Sequence, residues 1–196
     1  KGKFASTDSR CLIVNNSLIA FAPAGLTEYT IPNSVTSIGY GAFYGCSSLT
    51  SINIPNSVTS IESRAFFNCS SLTSIPFFTT RRSIGSLAFE GCSSLTSITI
   101  PNCVTSIGSY TFSYCSSLTS ITIPDSVTSI EYRAFYGCSK LTSIYCTSST
   151  PPTGSSYMFN NNATGRKIYV PKAAVDAYKT AAYWSSYAND IVGYDF

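Results

Sequence analysis

Histidine is missing from this chain of 196 residues, and charged residues are scarce. Without histidine the chain has no Ser-His-Asp or Cys-His catalytic site, and it lacks the commonest metal ligand. Charged residues make up 11% of the sequence, against about 25% in an average soluble protein. The formal net charge is +3, and no basic run is longer than a pair such as Arg81-Arg82. Nucleic acid is therefore not an expected partner, because binding it requires a positively charged stripe.

Long apolar runs are absent as well. No apolar stretch approaches the roughly 20 residues of a transmembrane helix, and no charged-then-apolar signal segment begins at Lys1. We therefore expect neither a transmembrane segment nor a signal segment within this chain. Because the first residue is not methionine, we expect a processed product or a fragment.

The chain does contain a repeat with a period of 23 residues. Four columns of residues keep this spacing over at least five copies. The columns are Leu26, Leu49, Leu72, Leu95, Leu118 and Leu141; Ile38, Ile61, Ile84, Ile107 and Ile130; Phe43, Phe66, Phe89, Phe112 and Phe135; and Cys46, Cys69, Cys92, Cys115 and Cys138. A sustained period in this range is typical of a solenoid, in which stacked coils share one core.

One unit reads LTSITIPNCVTSIGSYTFSYCSS, from Leu95 to Ser117. Its opening alternates apolar and polar residues, which predicts a short strand, and Pro101 ends that strand because proline has no backbone N–H. Val104 and Ile107 indicate a second inward-facing stretch. The predicted fold is a leucine-rich-repeat solenoid of the β-rich α/β class. We expect it to be right-handed, with 23-residue coils and a parallel sheet on one face.

This unit resembles the BspA-like, or Treponema pallidum-type, leucine-rich repeats of bacterial surface proteins, which read close to L-x-x-I-x-I-P-x-x-V-x-x-I-x-x-x-A-F-x-x-C. The resemblance covers residues 26–171. It implies an extracellular or cell-surface location in a host-associated bacterium. It also implies an interaction role, since some members of this family are regarded as adhesins.

The ends of the chain depart from the repeat, as the caps of a solenoid should. The expected segments are an N-terminal β-hairpin cap at 1–25, the repeats at 26–146, a degenerate last repeat at 147–171 and a C-terminal cap at 172–196. Asn15-Asn16-Ser17 is the predicted hairpin turn. In the degenerate repeat, Asn162 takes the cysteine position. Pro171 suits a helix start, which predicts a short helix over Lys172 to Tyr183.

The cysteines suggest a buried ladder and not a disulfide or zinc framework. Zinc sites use close Cys-x-x-Cys pairs, and the chain has none. The five repeated cysteines point the same way from equivalent positions, a geometry that rarely permits disulfides. We expect them to be buried and reduced, as small apolar residues. Cys146 is expected in the core, and the sequence leaves the state of Cys11 and Cys103 open.

Acidic residues do not form a catalytic pair. Glu62 and Glu131 occupy equivalent positions three coils apart, which places them about 15 Å from each other in a stack. That separation is too large for a paired-carboxylate mechanism. We therefore predict that the protein is not an enzyme, with no catalytic residue, metal ligand or cofactor.

Aromatic residues also occupy columns that vary between coils. They are Tyr40, Tyr44, Phe67, Tyr132 and Tyr136. Exposed rings of this kind anchor a protein partner or stack on a sugar ring. Alternatively, the rings pack on those of neighbouring coils. Tyr44, Phe67 and Tyr136 are candidate binding residues under the first interpretation.

The repeat pattern breaks at residues 75–82, which read Ile-Pro-Phe-Phe-Thr-Thr-Arg-Arg. Pro76 removes a hydrogen-bond donor from a central strand position, and Arg81 takes an inward valine position. A buried unpaired guanidinium is very unfavourable, so we expect the chain to shift until Arg81 reaches solvent or a carboxylate. Phe78 flanked by Arg81 and Arg82 is therefore the leading candidate for a binding hot spot. The alternative is decay of the repeat without a function.

Together these patterns predict a non-catalytic extracellular or cell-surface interaction protein. Its expected partner is a host or bacterial surface macromolecule, and a protein is favoured over a glycan. The alternative is a carbohydrate-binding surface protein that uses exposed tyrosines as stacking platforms.

Overall fold

The computed structural model describes residues 9–75 and 83–196. The chain forms a β-solenoid of about seven stacked coils, with parallel sheets along the stack and a short helix near the C terminus. The solenoid predicted from the repeat is confirmed. Pro76, Phe78, Arg81 and Arg82, the predicted hot spot, lie outside the described residues.

The strands are short, with two to five residues each. In chain order they are β1 Cys11–Val14, β2 Ser17–Phe21, β3 Glu28–Thr30, β4 Ser37–Ile38, β5 Ser51–Asn53, β6 Ser60–Ile61, β7 Ser83–Ile84, β8 Ser106–Ile107, β9 Ser120–Ile123, β10 Ser129–Ile130, β11 Ser143–Cys146, β12 Lys167–Pro171 and β13 Ile191–Tyr194.

An N-terminal hairpin covers the first coil. Strands β1 and β2 pair antiparallel, and β2 then pairs in parallel with β4. The hairpin is thus joined to the stack by backbone hydrogen bonds. Phe21 from β2 packs on Phe43 of the first coil, with ring centroids 4.8 Å apart. The apolar end of the stack is therefore closed by aromatic packing.

The strands that open each repeat form a parallel ladder along one side of the solenoid. Strand β3 pairs with β5, and β9, β11, β12 and β13 pair in that order. Isolated bridges, such as Ser74 to Ser97, continue the ladder between these groups. Ser120 lies opposite Ser143, and these two residues are one repeat apart in the sequence. This register keeps every second residue, such as Ile121, in the core.

A second parallel ladder runs through β2, β4, β6 and β7, and through β8 and β10. From β4 onward each of its strands is a Ser-Ile pair with the isoleucine inward. The sequence indicated an inward stretch here but no strand, because two residues are too few to show alternation. Between β7 and β8 the described residues form no strand pairing. A cleft of about 680 Å³ lies there, lined in part by Ile84, Cys103 and Ser106.

One phenylalanine per coil stacks along the core. The stacked residues are Phe43, Phe66, Phe89, Phe112, Phe135 and Phe159. Neighbouring ring centroids are 4.9–5.6 Å apart, and the rings lie within 20° of parallel. Phe159 continues the stack from the degenerate repeat. All six rings are buried, so each ring is covered by the coils on either side.

The cysteine column lies beside this phenylalanine stack. From Cys69 onward, each cysteine Sγ donates a hydrogen bond of 3.0–3.3 Å to a phenylalanine carbonyl of the preceding coil. Asn162 donates the equivalent bond from Nδ2 to the Phe135 carbonyl at 2.8 Å, so it does take the cysteine position. The predicted burial of the ladder cysteines and of Cys146 is confirmed. Burial raises the pKa of Cys92 to about 12.

The C-terminal cap is less helical than the sequence predicted. It contains a 3-10 turn at Lys172–Ala174, helix α1 at Val175–Thr180 and a second 3-10 turn at Trp184–Tyr187. The helix stops because Ala181 is extended, with ψ 146°. This change of direction brings Trp184 into the core, where its Nε1 donates to the Pro152 carbonyl at 2.7 Å. Tertiary packing thus overrides helix propensity, and β13 adds a last strand that was not expected.

Removing one ring from the middle of the phenylalanine stack should destabilise the whole solenoid. Phe112→Ala deletes a fully buried ring that contacts Phe89 and Phe135, so we expect the free energy of unfolding to fall by about 3–5 kcal/mol. Urea unfolding followed by circular dichroism measures this change. Ser120→Ala, on an exposed site, is the control and should stay within about 0.5 kcal/mol. Equal effects for the two variants would contradict the stacked core.

The ladder cysteines should be chemically silent until the protein unfolds. Their thiols are buried, which shields them from a reagent. Burial raises the pKa of Cys92 and Cys138 to about 12, so these two form almost no thiolate at pH 8. A hydrogen bond with Cys69 lowers the pKa of Cys46, and the protection of that thiol comes from its burial alone. Titration with a thiol reagent at pH 8 should leave these five cysteines unmodified in the folded protein and modify them in denaturant. Mass spectrometry identifies each labelled position. Disulfides between neighbouring ladder positions would overturn the assignment.

Candidate binding surface

Each coil bends at two positions where the backbone φ is positive. The first position holds Gly41, Arg64, Leu87, Tyr110, Arg133 and Tyr157, with φ between 54 and 62°. The second holds Gly45, Asn68, Gly91, Tyr114, Gly137 and Asn161, with φ between 56 and 74°. Glycine adopts this conformation freely, whereas other residues pay about 1–2 kcal/mol. The bends recur once per coil, so their side chains align along one edge of the solenoid.

Aromatic and arginine side chains fill much of this edge. We call it the aromatic edge, and it comprises Tyr40, Tyr44, Arg64, Phe67, Tyr110, Tyr114, Tyr132, Arg133, Tyr136 and Tyr157. Four of its rings keep about half of their surface exposed: Tyr40 60%, Tyr44 59%, Tyr114 50% and Tyr157 48%. Tyrosine and arginine with this exposure are the residue types enriched at binding hot spots.

Arg64 organises the N-terminal part of the edge. Its Nη1 donates to the hydroxyl of Tyr40 at 2.7 Å, and its guanidinium lies 6.0 Å from the ring centroid of Phe67. Tyr44 stacks on Phe67 with a centroid distance of 5.0 Å and an angle of 9°. Charge from Arg64 lowers the pKa of Glu90, although burial of that carboxyl has the larger, opposite effect and raises it overall.

Arg133 lies among four tyrosine rings from three successive coils. The rings belong to Tyr110, Tyr132, Tyr136 and Tyr157, with centroids 4.8–5.9 Å from the guanidinium carbon. These distances are within cation–π range. The Nε atom of Arg133 is buried and has no hydrogen-bond partner among the described residues. We call Arg133 and these four rings the Arg133 cluster.

Some of the variable aromatic rings pack on rings of neighbouring coils, and others are exposed. Tyr44 is exposed, while Phe67 and Tyr136 are half-buried against rings of adjacent coils. Sequence reasoning missed Arg64 and Arg133 as members of the edge. A signal was present, because the two arginines are three repeats apart and each follows a glutamate by two residues.

Those glutamates support the bends. Glu62 accepts hydrogen bonds from the Ser37 hydroxyl at 3.2 Å and from the Tyr40 N–H at 3.1 Å. Glu131 accepts from the N–H and hydroxyl of Ser109, both at 3.0 Å. Each carboxylate therefore satisfies backbone or hydroxyl donors of the preceding coil. This is a structural use of the carboxylates.

A smaller aromatic group lies on the outer face of the first ladder. Tyr145 and Tyr169 stack with centroids 4.7 Å apart, and Tyr194 meets both rings edge-on. Within residues 9–75 and 83–196, no cluster of three or more His, Cys, Asp or Glu side chains is placed to hold a metal ion. Within the same residues, no helix has the length and apolar character needed to span a bilayer.

The chain is similar to a family of bacterial repeats and to several solved structures. A model of the BspA type leucine-rich repeat region matches six copies, over residues 17–116 and 82–191. A leucine-rich cell surface protein from Faecalibacterium prausnitzii A2-165 is 31% identical, with a TM-score of 0.63 and coverage of 87% of this chain. This chain spans 55% of that protein. No curated protein matches the chain.

Two further solved structures share the fold at lower identity. A leucine-rich-repeat protein of T. pallidum is 22% identical, with a TM-score of 0.67, and the match covers 93% of this chain and 95% of that one. A leucine-rich-repeat protein from Eubacterium ventriosum ATCC 27560 is also 22% identical, with a TM-score of 0.64 and coverage of 81% and 52%.

A double-mutant cycle tests whether the exposed rings pack on one another. Tyr44→Ala and Phe67→Ala should show a coupling of about 0.5–1.5 kcal/mol in the free energy of unfolding, because the rings are stacked. Tyr44→Ala and Tyr136→Ala form the control pair, since these residues are four coils apart, and should be additive. Urea unfolding of the single and double variants gives both values. If the effects of Tyr44→Ala and Phe67→Ala on the free energy of unfolding are additive, the two rings do not stabilise each other.

Proposed function

The chain belongs to the BspA-type leucine-rich-repeat family, and from that premise we propose that it is a non-catalytic protein that binds other proteins at or outside the cell surface. The F. prausnitzii relative is described as a cell surface protein. Its name supports the proposed location. The family supports an interaction role without specifying a partner.

The aromatic edge is the observation that carries this proposal. It places exposed Tyr side chains and half-buried Arg side chains on a backbone held by two parallel ladders. Rings such as Tyr44 offer apolar area together with a hydroxyl group and few rotatable bonds, so they lose little entropy on binding. Tyr44, Phe67 and Tyr136 are the proposed contact residues from this edge.

The irregular segment is the second proposed contact region, on sequence grounds. Pro76, Phe78, Arg81 and Arg82 combine an aromatic residue with two arginines at a place where the repeat pattern breaks. That composition is enriched at protein interfaces. The two regions are independent proposals, because they lie in different segments of the sequence.

Carbohydrate binding is the alternative function. Tyr145 and Tyr169 stack on each other on the outer face of the first ladder, with the exposed Tyr194 edge-on to both. The outer surface of this group offers a sugar apolar area and hydroxyl groups, so a glycan would bind at the C-terminal coils, whereas the arginines of the aromatic edge favour a protein.

Two triple variants separate these possibilities. We expect the wild-type chain to bind extracellular-matrix proteins or mucins coated on a sensor surface. Replacing Tyr44, Phe67 and Tyr136 with Ala, or Phe78, Arg81 and Arg82 with Ala, should weaken binding by about 2 kcal/mol or more if the replaced region is the hot spot. Biolayer interferometry measures the affinity, and a glycan array run with the same samples tests the alternative.

Thermal melts must show that both triple variants remain folded. Binding that survives both sets of substitutions would reject both proposed regions. If the wild-type chain binds a glycan but no protein, and Tyr145→Ala abolishes glycan binding, the carbohydrate alternative would replace the leading proposal.

A further inference from the structure

We infer that the Arg133 cluster binds the carboxylate of an acidic side chain in an extended segment of the partner protein. This inference rests on the proposed interaction function and adds the chemistry of the partner. The cluster was not among the binding residues expected from the sequence, apart from Tyr136.

The first step of the argument is the geometry of the guanidinium. Rings of Tyr132 and Tyr136 lie 5.0 and 4.8 Å from its central carbon, and Tyr110 and Tyr157 complete the surround. These distances place the guanidinium within cation–π range of all four rings. Its Nε is buried and its side chain also hydrogen-bonds with Tyr110, so the remaining terminal N–H groups are the donors left for a ligand. Two parallel in-plane donors match the two oxygens of a carboxylate.

The second step is the charge around Arg133. The ion pairs found in residues 9–75 and 83–196 are Arg166–Asp190 and Lys172–Asp195, and neither involves this arginine. Glu131 is the nearest acidic residue in the sequence, but its Oε2 is engaged by Ser109. In the described part of the chain the positive charge of the cluster therefore has no carboxylate partner. An external carboxylate supplies the complementary charge.

The third step is the backbone conformation. Arg133 has φ 54°, in the left-handed region that is unfavourable for residues with a Cβ. Gly41 occupies the same position in the first coil with φ 62°, so a glycine would relieve the strain. Because Leu87, Tyr110 and Tyr157 share this conformation at the same position of their coils, the bend is a feature of the repeat that holds the Arg133 side chain on the aromatic edge.

The orientation of the rings favours a peptide over a sugar. Tyr110 meets Tyr132 at 76°, Tyr114 meets Tyr136 at 79°, and Tyr132 meets Tyr157 at 77°. Rings set edge-to-face do not form the flat platform on which a sugar ring stacks. The exposed sides of Tyr114 and Tyr157 instead provide apolar contacts for the residues on either side of an acidic side chain.

Arg64 provides a comparison within the same chain. It occupies the equivalent position three coils earlier, with φ 57°, and lies near two rings in place of four. Its guanidinium donates to the Tyr40 hydroxyl and lies close enough to Glu90 to influence that carboxyl, whereas Arg133 has no such carboxylate among the described residues. Because Arg64 belongs to the proposed binding surface, the control is Lys140, an exposed cation outside the aromatic edge.

The test begins with an array of short peptides of random sequence. The wild-type chain should select peptides rich in Asp or Glu. For the strongest binders, fluorescence anisotropy should show that replacing the acidic residue with Gln or Asn weakens binding at least tenfold. Arg133→Gln should cause a loss of similar size, and Arg133→Lys an intermediate loss, because lysine keeps the charge but not the paired donors. Lys140→Gln, which removes an exposed positive charge outside the aromatic edge, should change affinity by less than threefold.

Each other outcome overturns the inference in a recognisable way. Selection of neutral peptides, or equal losses for Lys140→Gln and Arg133→Gln, would show that no specific carboxylate site exists at Arg133. Binding of glucuronate or sialic acid oligosaccharides on a glycan array, lost with Arg133→Gln and without any acidic peptide bound, would assign the site to an acidic sugar. Matrix proteins that bind wild type and Arg133→Gln equally would leave the proposed interaction function intact and reject this site alone.

Discussion

A single coil of this protein has no interior, and the rest of the structure depends on that constraint. The ring of Phe112 is buried only because Phe89 and Phe135 lie on either side of it at 5.6 and 5.4 Å. Each coil must therefore present the same residue at the same depth as its neighbours. The period of 23 residues follows from this requirement. The caps follow from it too, because Phe21 covers the first ring of the stack, Phe43, and Trp184 covers the last, Phe159.

Stacking also explains how a chain with few charges satisfies its polar groups. Threonines at two corners of the coil donate hydroxyl hydrogen bonds to the carbonyl one coil earlier, as Thr50 does to Thr27 at 2.9 Å and Thr128 to Thr105 at 3.0 Å. The buried cysteine Sγ atoms do the same for phenylalanine carbonyls. Neutral hydroxyl and thiol groups thus repeat with the coil, which avoids the like-charge repulsion that a column of stacked ionised side chains would create.

The same regularity leaves one edge of the solenoid available for variation. The bends at the first left-handed position must keep their backbone conformation, but the side chain there points away from the core. Gly41, Leu87 and Arg133 all occupy this position with nearly the same φ. A rigid backbone with variable side chains is suited to recognition, because the binding groups are held in place before the partner arrives.

The sequence by itself determined the solenoid, its period and the core columns, because residues such as Phe66 and Cys92 repeat at a fixed spacing and a repeated position has one environment. It did not reveal the two-residue strands of the second ladder, which are too short to show a pattern, or the early end of helix α1, which the burial of Trp184 imposes. The surroundings of Arg133 were decided by tertiary structure alone. Tyr110 and Tyr157 are 47 residues apart in the chain, and only the stacking of three coils brings both rings to one guanidinium.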